Sequence, residues 1–401
     1  MLSNRNKVGE GVCNKTCFLG SYNLDTFLLF HIYLLNQSNK RSVCTKISKM
    51  TLVRMDVLRI GLQLFFIISF SSVLGKARQR KMNNFKVLVT NPTVPDSGIT
   101  LLNDNGCNVI QLQTESRENI LKNARGMDAL FWASGVKLDS EVLDAAGPQL
   151  KAIGLMSAGY NHVDVGELRK RGIRMGNTPK VLNDAVADIA ILLTLAASRR
   201  LHEARLSIEN DKWITNDFAW MCGQDITNST VGIIGFGQIG QTVARRLKGF
   251  DIQQLLYTGH KEKKEGIELG AKFVSLNTLL EDSDFVIVIV PLTTETHHMC
   301  NEEFFSKMKK TAVFINISRG EVVDQPALIN ALKRHTIFAA GLDVMTPEPL
   351  PSNHELLTLP NVVLMPHLGS ATNETRQSMS TLTAQNILRG LAGEEMLTPV
   401  V

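Results

Sequence analysis

The stretch TVGIIGFGQIGQTVARRL, residues 230–247, decides how this chain folds. It opens on an apolar run at 231–234 and turns through Gly235, Phe236, Gly237, Gln238, Ile239 and Gly240. It then continues as a helix-forming segment to about Leu247. Strand, glycine turn and helix in that order make a dinucleotide site. The first glycine permits the tight turn, the second lets the backbone approach a pyrophosphate, and the third lets helix and strand pack closely. Phosphates held there meet the free N–H groups at the positive end of the helix.

Working outward, short apolar runs alternate with amphipathic stretches on both sides, the pattern of parallel sheets covered by helices. Toward the N-terminus it predicts strands at 87–90, 108–112, 129–133, 151–156 and 173–176, with helices at 139–146 and 165–171. Toward the C-terminus strands are expected at 255–257, 285–290, 313–317, 339–342 and 362–364, and a last helix at 372–391. The run FVIVIV at 285–290 is apolar without alternation, as in a strand covered on both faces. Residues 186–200 are apolar on nearly every face, which predicts a buried helix crossing between domains or packing on another subunit. The fold class is therefore α/β, with two doubly wound parallel-sheet domains and a cleft between them. Because the last helix follows the second unit, it is expected to fold back on the first. That divides the chain into a substrate domain, residues 82–185 plus 368–401, and a dinucleotide-binding domain, residues 186–367.

With 401 residues there is enough chain for two cores, and 44% hydrophobic with 20% charged residues is ordinary for a globular protein. The net charge of +5 is unevenly spread. Residues 1–81 hold 13 Lys/Arg against 3 Asp/Glu, and the rest holds 30 against 35. The body is mildly acidic, so nucleic acid is not expected as a partner. Cys107, Cys222 and Cys300 form no C-x-x-C pair and there is no metal-ligand spacing, which suggests reduced thiols in a cytoplasmic body and no metal.

The leader, residues 1–81, reads differently. Its apolar run at 60–74, IGLQLFFIISFSSVL, is flanked by Arg54, Arg59, Lys76, Arg78, Arg80 and Lys81. Fifteen residues are short for a membrane span, which needs about 20, and suit a signal-peptide core, with small residues near Gly75 for cleavage. Two readings stand: a targeting or anchoring segment, the one route to a membrane, or an upstream stretch preceding a start at Met50, Met55 or Met82.

The far end of the dinucleotide site is read from Tyr257-Thr-Gly-His-Lys-Glu-Lys-Lys264. An NAD site places Asp or Glu about 20 residues past the glycines to bind the ribose 2′-hydroxyl. Thr258 occupies that place, and His260, Lys261, Lys263 and Lys264 can neutralise a 2′-phosphate. NADP(H) is the favoured cofactor, with NAD(H) the alternative.

Three further motifs stand at strand ends, where open α/β sheets carry their sites. Asn316-Ile-Ser-Arg319-Gly320 supplies a guanidinium able to hold a carboxylate by two prongs and polarise a carbonyl. Asp343 follows Gly341-Leu342, and Glu348 stands between Pro347 and Pro349. Pro366-His367-Leu-Gly-Ser370 supplies an imidazole. Reducing a 2-keto acid needs a proton for the developing alkoxide, and a His beside a carboxylate is suited to give it. Singly each motif is a common surface or core feature; in this order after a glycine turn they describe a hydride-transfer site.

In that order, G-x-G-x-x-G, N-x-S-R-G, G-L-D-V, P-E-P and P-H-x-G-S-A-T resemble the D-2-hydroxy-acid dehydrogenase family over about residues 85–401. The resemblance implies a flavodoxin-like substrate domain and a Rossmann cofactor domain. LKAIGLMSAGYNHVD, residues 150–164, is similar to the family's substrate loop, which implies that the N–H groups of Ala158 and Gly159 hold the substrate carboxylate. It further implies that Arg319 binds substrate, that Glu348 supports the acid His367, and that Ser370 lies beside the substrate. Pro291, Ile317, Asp343 and Gly369 would line the nicotinamide end, with Gly235 to Gly240, His260, Lys261 and Lys263 on the rest of the cofactor. Within the family the finer likeness is to glyoxylate/hydroxypyruvate reductases, carried by AWMCG at 219–223, YTG at 257–259 and TAVFINISRG at 311–320. It implies a homodimer in which Trp220 reaches the partner's site. Two positions depart: His260 where that subgroup tends to have Arg, and Ala158 where a larger Val is common. Another 2-keto acid as substrate, or a cofactor-sensing, corepressor-like binding protein on the same fold, are the alternatives.

Overall fold

A computed structural model of the chain describes residues 84–401, and the leader at 1–81 lies outside the described residues. Two all-parallel sheets organise the described chain. The first holds β1 (Lys86–Val89), β2 (Asn108–Gln111), β3 (Ala129–Trp132), β4 (Ala152–Leu155) and β5 (Arg174–Gly176), in the order β2-β1-β3-β4-β5. The second holds β6 (Thr230–Ile234), β7 (Gln254–Thr258), β8 (Ala271–Phe273), β9 (Phe285–Val288), β10 (Val313–Asn316), β11 (Ala339–Leu342) and β12 (Val362–Leu364). Their order is β12-β11-β10-β9-β6-β7-β8. Both are doubly wound, as the alternating runs require, since a parallel crossover must put helices on both faces. The strand order reverses between β6 and β9, where Ile234 pairs with Val288. That switch opens the crevice in which such sheets take a ligand.

The strands read as apolar runs because both faces are covered. Phe285, Val286, Ile287 and Val288 are fully buried, and each such side chain contributes about 1.5–3 kcal/mol of transfer free energy. Expected strands and observed ones differ mainly at their ends. β9 stops at Val288, two residues early, where Ile289 and Val290 pass against Gly235. Edge strand β8, three residues of sequence AKF, was not foreseen.

The helix expected at 186–200 spans Asn183–Ser198 and is buried along the arc that meets the second sheet. It packs on β10, β11 and helix Gln238–Leu247, while Leu192 on its outer arc is 48% exposed. Asp184 and Asp188 on that helix reach Arg246 at 3.0 and 2.5 Å. An alanine-rich helix is apolar everywhere, so its composition does not reveal which arc is covered.

Helix Asn373–Ala392 packs on the first sheet rather than the second. Ser97 Oγ donates to Gln377 O (3.0 Å), Gly98 N to Ser380 Oγ (3.1 Å) and Asn386 Nδ2 to Asn177 O (3.1 Å). The chain therefore crosses between the sheets twice, before Asn183 and again between β12 and Asn373. Among the described residues no helix is long and apolar enough to cross a membrane.

Candidate active site

The glycine turn has the form a pyrophosphate needs. Gly235 has φ +97°, and a β-carbon there would lie 2.2 Å from Ile289 O. A β-carbon on Gly240 would lie 2.4 Å from Gly235 O, whereas Gly237 has nothing within 4 Å and faces open space. Two glycines thus serve the chain's own packing and the third leaves room for a ligand. Helix Gln238–Leu247 has no acidic residue in its first turn and Arg245 and Arg246 in its last, so its positive end is left for an anion. Gln238 accepts from Asn183 Nδ2 at 3.3 Å and Ile239 is half-buried. These residues fit a dinucleotide. His260 and Lys261 are exposed just past β7, and Lys263 donates its backbone N–H to Tyr257 Oη at 2.9 Å. Lys264 is engaged by Glu268 at 3.4 Å. Pro291 and Ile317 follow the ends of β9 and β10, Pro291 exposed and Ile317 buried.

Arg319 is aimed by the turn that ends β10. Asn316 Oδ1 accepts from Ser318 N (3.0 Å) and Ser318 Oγ (2.6 Å), and Asn316 Nδ2 donates to Arg319 O (3.0 Å). The guanidinium then spans the cleft to the loop after β4. Its Nε donates to Asn161 Oδ1 at 3.1 Å and its Nη1 to Ser318 O at 2.6 Å. A β-carbon on Gly159 would lie 2.1 Å from Nη2, so the glycine backbone lies directly against this nitrogen. Burial pushes the Arg319 pKa down from its ordinary value, with Glu348 and Glu321 pulling the other way; a guanidinium stays charged regardless. A desolvated cation beside a cleft is a site for an anion.

The Ala158–Gly159 segment has its carbonyls occupied, by Asn177 Nδ2 on Ala158 O (2.7 Å) and Ser157 Oγ on Gly159 O (2.5 Å). Its two N–H groups have no partner among the described residues. His162, three residues on, has a ring whose Nε2 is buried without a partner. Burial first, then the Arg319 charge, holds its pKa below the ordinary histidine value.

Two strand ends assemble the acid. Asp343, just past β11, is buried, and its carboxylate accepts from Leu368 N (2.7 Å) and Gly369 N (2.9 Å), while its carbonyl accepts from His367 N (2.8 Å). Those bonds hold His367 at φ +53°, a backbone region costly for a non-glycine residue. Burial raises the Asp343 pKa, against the Leu368 N–H, the His367 charge and the Gly369 N–H. Glu348 Oε2 meets His367 Nδ1 at 2.8 Å, and Glu348 Oε1 accepts from Met345 N at 3.1 Å. Burial alone would raise the Glu348 pKa, but the His367 hydrogen bond and charge, the Met345 N–H and Arg319 outweigh it and hold it below the usual value. Nδ1 being engaged, Nε2 is the ring atom left for a substrate. Ser370 is half-buried in the next turn.

The structure thus brings the Arg319 guanidinium against the Ala158–Gly159 loop, and gathers Asp343, Glu348, His367 and Gly369 into one hydrogen-bonded cluster, with the Arg319 charge acting on Glu348. Trp220 lies elsewhere, on an arm after helix Leu201–Glu209, beside Trp213, Ile214 and Met221. Sequence reading passed over Asn161 and His162, whose only signal was their place in the loop after Gly159, and the backbone-holding work of Asp343.

Residues 191–369 match the family model described as D-isomer specific 2-hydroxyacid dehydrogenase, NAD binding domain. On this fold and this glycine turn, that match defines a nicotinamide-dependent oxidoreductase. The chain is 46% identical to the human glyoxylate reductase/hydroxypyruvate reductase over 321 residues, 79% of this chain and 98% of that protein. It is 45% identical to the glyoxylate reductase of Thermococcus kodakarensis over 317 residues, 77% of this chain and 94% of that protein. Among solved structures, the NADPH-dependent glyoxylate/hydroxypyruvate reductase of Sinorhizobium meliloti, in complex with NADP and malonate, superposes with a TM-score of 0.70. It is 32% identical, covering 79% of this chain and 97% of that chain. The chain belongs to the D-isomer specific 2-hydroxyacid dehydrogenases.

Proposed function

We propose that the protein reduces glyoxylate and hydroxypyruvate to glycolate and D-glycerate, with NADPH as the favoured donor. The observation that carries this reading is that the His–Glu pair and the Arg319 guanidinium all lie past C-terminal ends of strands in the sheet that carries the glycine turn. In this reading the free N–H groups of Ala158 and Gly159 hold the substrate carboxylate, and Arg319 binds it and polarises the keto oxygen. When bound, the nicotinamide supplies the hydride. His367 Nε2 gives the proton to the developing alkoxide, while Glu348 fixes the ring and balances its charge. Asp343 keeps the His367 turn in place, and Ser370 borders the substrate. Pro291, Ile317 and Gly369 bound the nicotinamide end. The 46% identical human relative, named for both reductions, supports the substrate assignment.

His260 and Lys261 are assigned to the 2′-phosphate, supported by their exposure past β7 and by the absence of a carboxylate at Thr258. Replacing both with Ala is expected to raise KM for NADPH about tenfold, the effect of losing one or two charge-assisted bonds. KM for NADH should stay within about twofold. Equal changes for both cofactors would remove the assignment.

A homodimer completes the reading. Leu201 (56% exposed), Ile208 (60%), Trp213 (66%) and Phe218 (105%) crowd an arm that also carries Trp220, more exposed apolar surface than a lone chain usually keeps. Trp220 is proposed to serve the partner's pocket. Light scattering of a Trp213→Asp/Phe218→Asp variant should give a monomer of lowered activity; an unchanged mass would reject the interface.

A further inference from the structure

Arg319 has five N–H donors, and the structure commits two of them within the protein: Nε to Asn161 Oδ1 and one Nη1 hydrogen to Ser318 O. Nη2 has no hydrogen-bond partner among the described residues, and it lies against the Gly159 backbone. Ser318 belongs to the guanidinium's own loop and turns with it. Asn161 comes from the other sheet, 158 residues away in sequence, and is the contact that fixes the fork's rotation relative to the Ala158–Gly159 segment. Rotation about the long Arg side chain is otherwise soft, and a misaligned fork gives one bond to a carboxylate where an aligned fork gives two.

We infer that Asn161 is a positioning residue. Its amide oxygen holds Nε so that Nη2 points along the edge where the Ala158 and Gly159 N–H groups stand free, and the substrate acid is gripped by guanidinium and backbone together. The bond also ties the two lobes across the cleft mouth. The inference rests on the assignment of Arg319 as substrate anchor, and it adds the residue that sets the anchor's direction.

The test compares full-length wild type with Asn161→Ala, Asn161→Asp and Arg319→Ala. It measures KM and kcat for glyoxylate, inhibition by oxalate, a planar diacid that reports grip on the carboxylate without turnover, and NADPH affinity. Asn161→Ala is expected to raise both KM and the oxalate inhibition constant about tenfold, with kcat less affected and NADPH affinity unchanged. Asn161→Asp, which keeps an acceptor at that place, should return both constants to within about threefold of wild type. A merely structural role would move NADPH affinity as well and show no such rescue. If Asn161→Ala matches wild type, or Asn161→Asp is as poor as Asn161→Ala, the inference is overturned even if Arg319→Ala abolishes oxalate binding. If Arg319→Ala binds oxalate as wild type does, the anchor assignment itself falls.

Discussion

Replacing His367 with Ala is expected to lower kcat for glyoxylate reduction about a thousandfold, in the middle of the range for loss of a positioned general acid. NADPH affinity should stay within about twofold, because the ring faces Glu348 and the cleft while the glycine turn belongs to β6 and its following helix. The size of the effect follows from how firmly this imidazole is held. Asp343 accepts two backbone N–H bonds in its carboxylate and a third in its carbonyl, and with the bond from His367 N to Met365 O (3.0 Å) they hold His367 in its left-handed backbone region. Glu348 then takes Nδ1 and leaves Nε2 as the single proton route. Glu348→Gln keeps an acceptor but removes the charge, so a smaller loss, about ten- to a hundredfold, is expected. The sign of the pH effect follows from the lowered Glu348 pKa. Its contribution is present above the ordinary carboxylate range and is lost only as pH falls through the lower, folded value. Activity measured from neutral pH downward should therefore show no Glu348-dependent loss until below that ordinary range.

Arg319→Ala is the second large effect. Burial lowers the pKa of the guanidinium, and its Nη2 has no hydrogen-bond partner among the described residues, an arrangement that costs stability unless an anion is bound. Loss of about a thousandfold or more in kcat/KM is expected, since both the carboxylate grip and the carbonyl polarisation go. Thermal unfolding of the unliganded variant should occur at the same temperature as wild type or higher. Arg319→Lys is expected to recover less than about tenfold, because an ammonium is a point donor and cannot span two oxygens. A variant that lost activity in step with its melting temperature would point to a structural role instead.

How much of this was legible follows from what each feature depends on. The strands could be read because parallel strands buried on both faces leave runs such as FVIVIV, and the glycine turn because two close approaches, at Gly235 and Gly240, leave no room for a β-carbon and a third glycine, Gly237, keeps open the space a ligand needs. Arg319 and His367 stood out because each closely follows a strand, and Glu348 because it stands between Pro347 and Pro349. Three residues of β8 carry too little periodicity to be noticed. The exposed arc of helix Asn183–Ser198 was hidden because an apolar composition does not state which side the sheet will cover. Asn161 and Arg319 meet across a loop closure of 158 residues, and Asp343 works on a backbone 25 and 26 residues downstream. Such pairings are properties of the folded cleft and leave no local pattern.

The central claim is that this cleft reduces short 2-keto acids. It is tested most directly by mixing the purified full chain with NADPH and hydroxypyruvate and resolving the enantiomer of the product. NADPH consumption matched by an equal amount of D-glycerate is the expected result. Tight NADPH binding with no consumption in the presence of hydroxypyruvate or glyoxylate, or formation of the L-enantiomer, would contradict it.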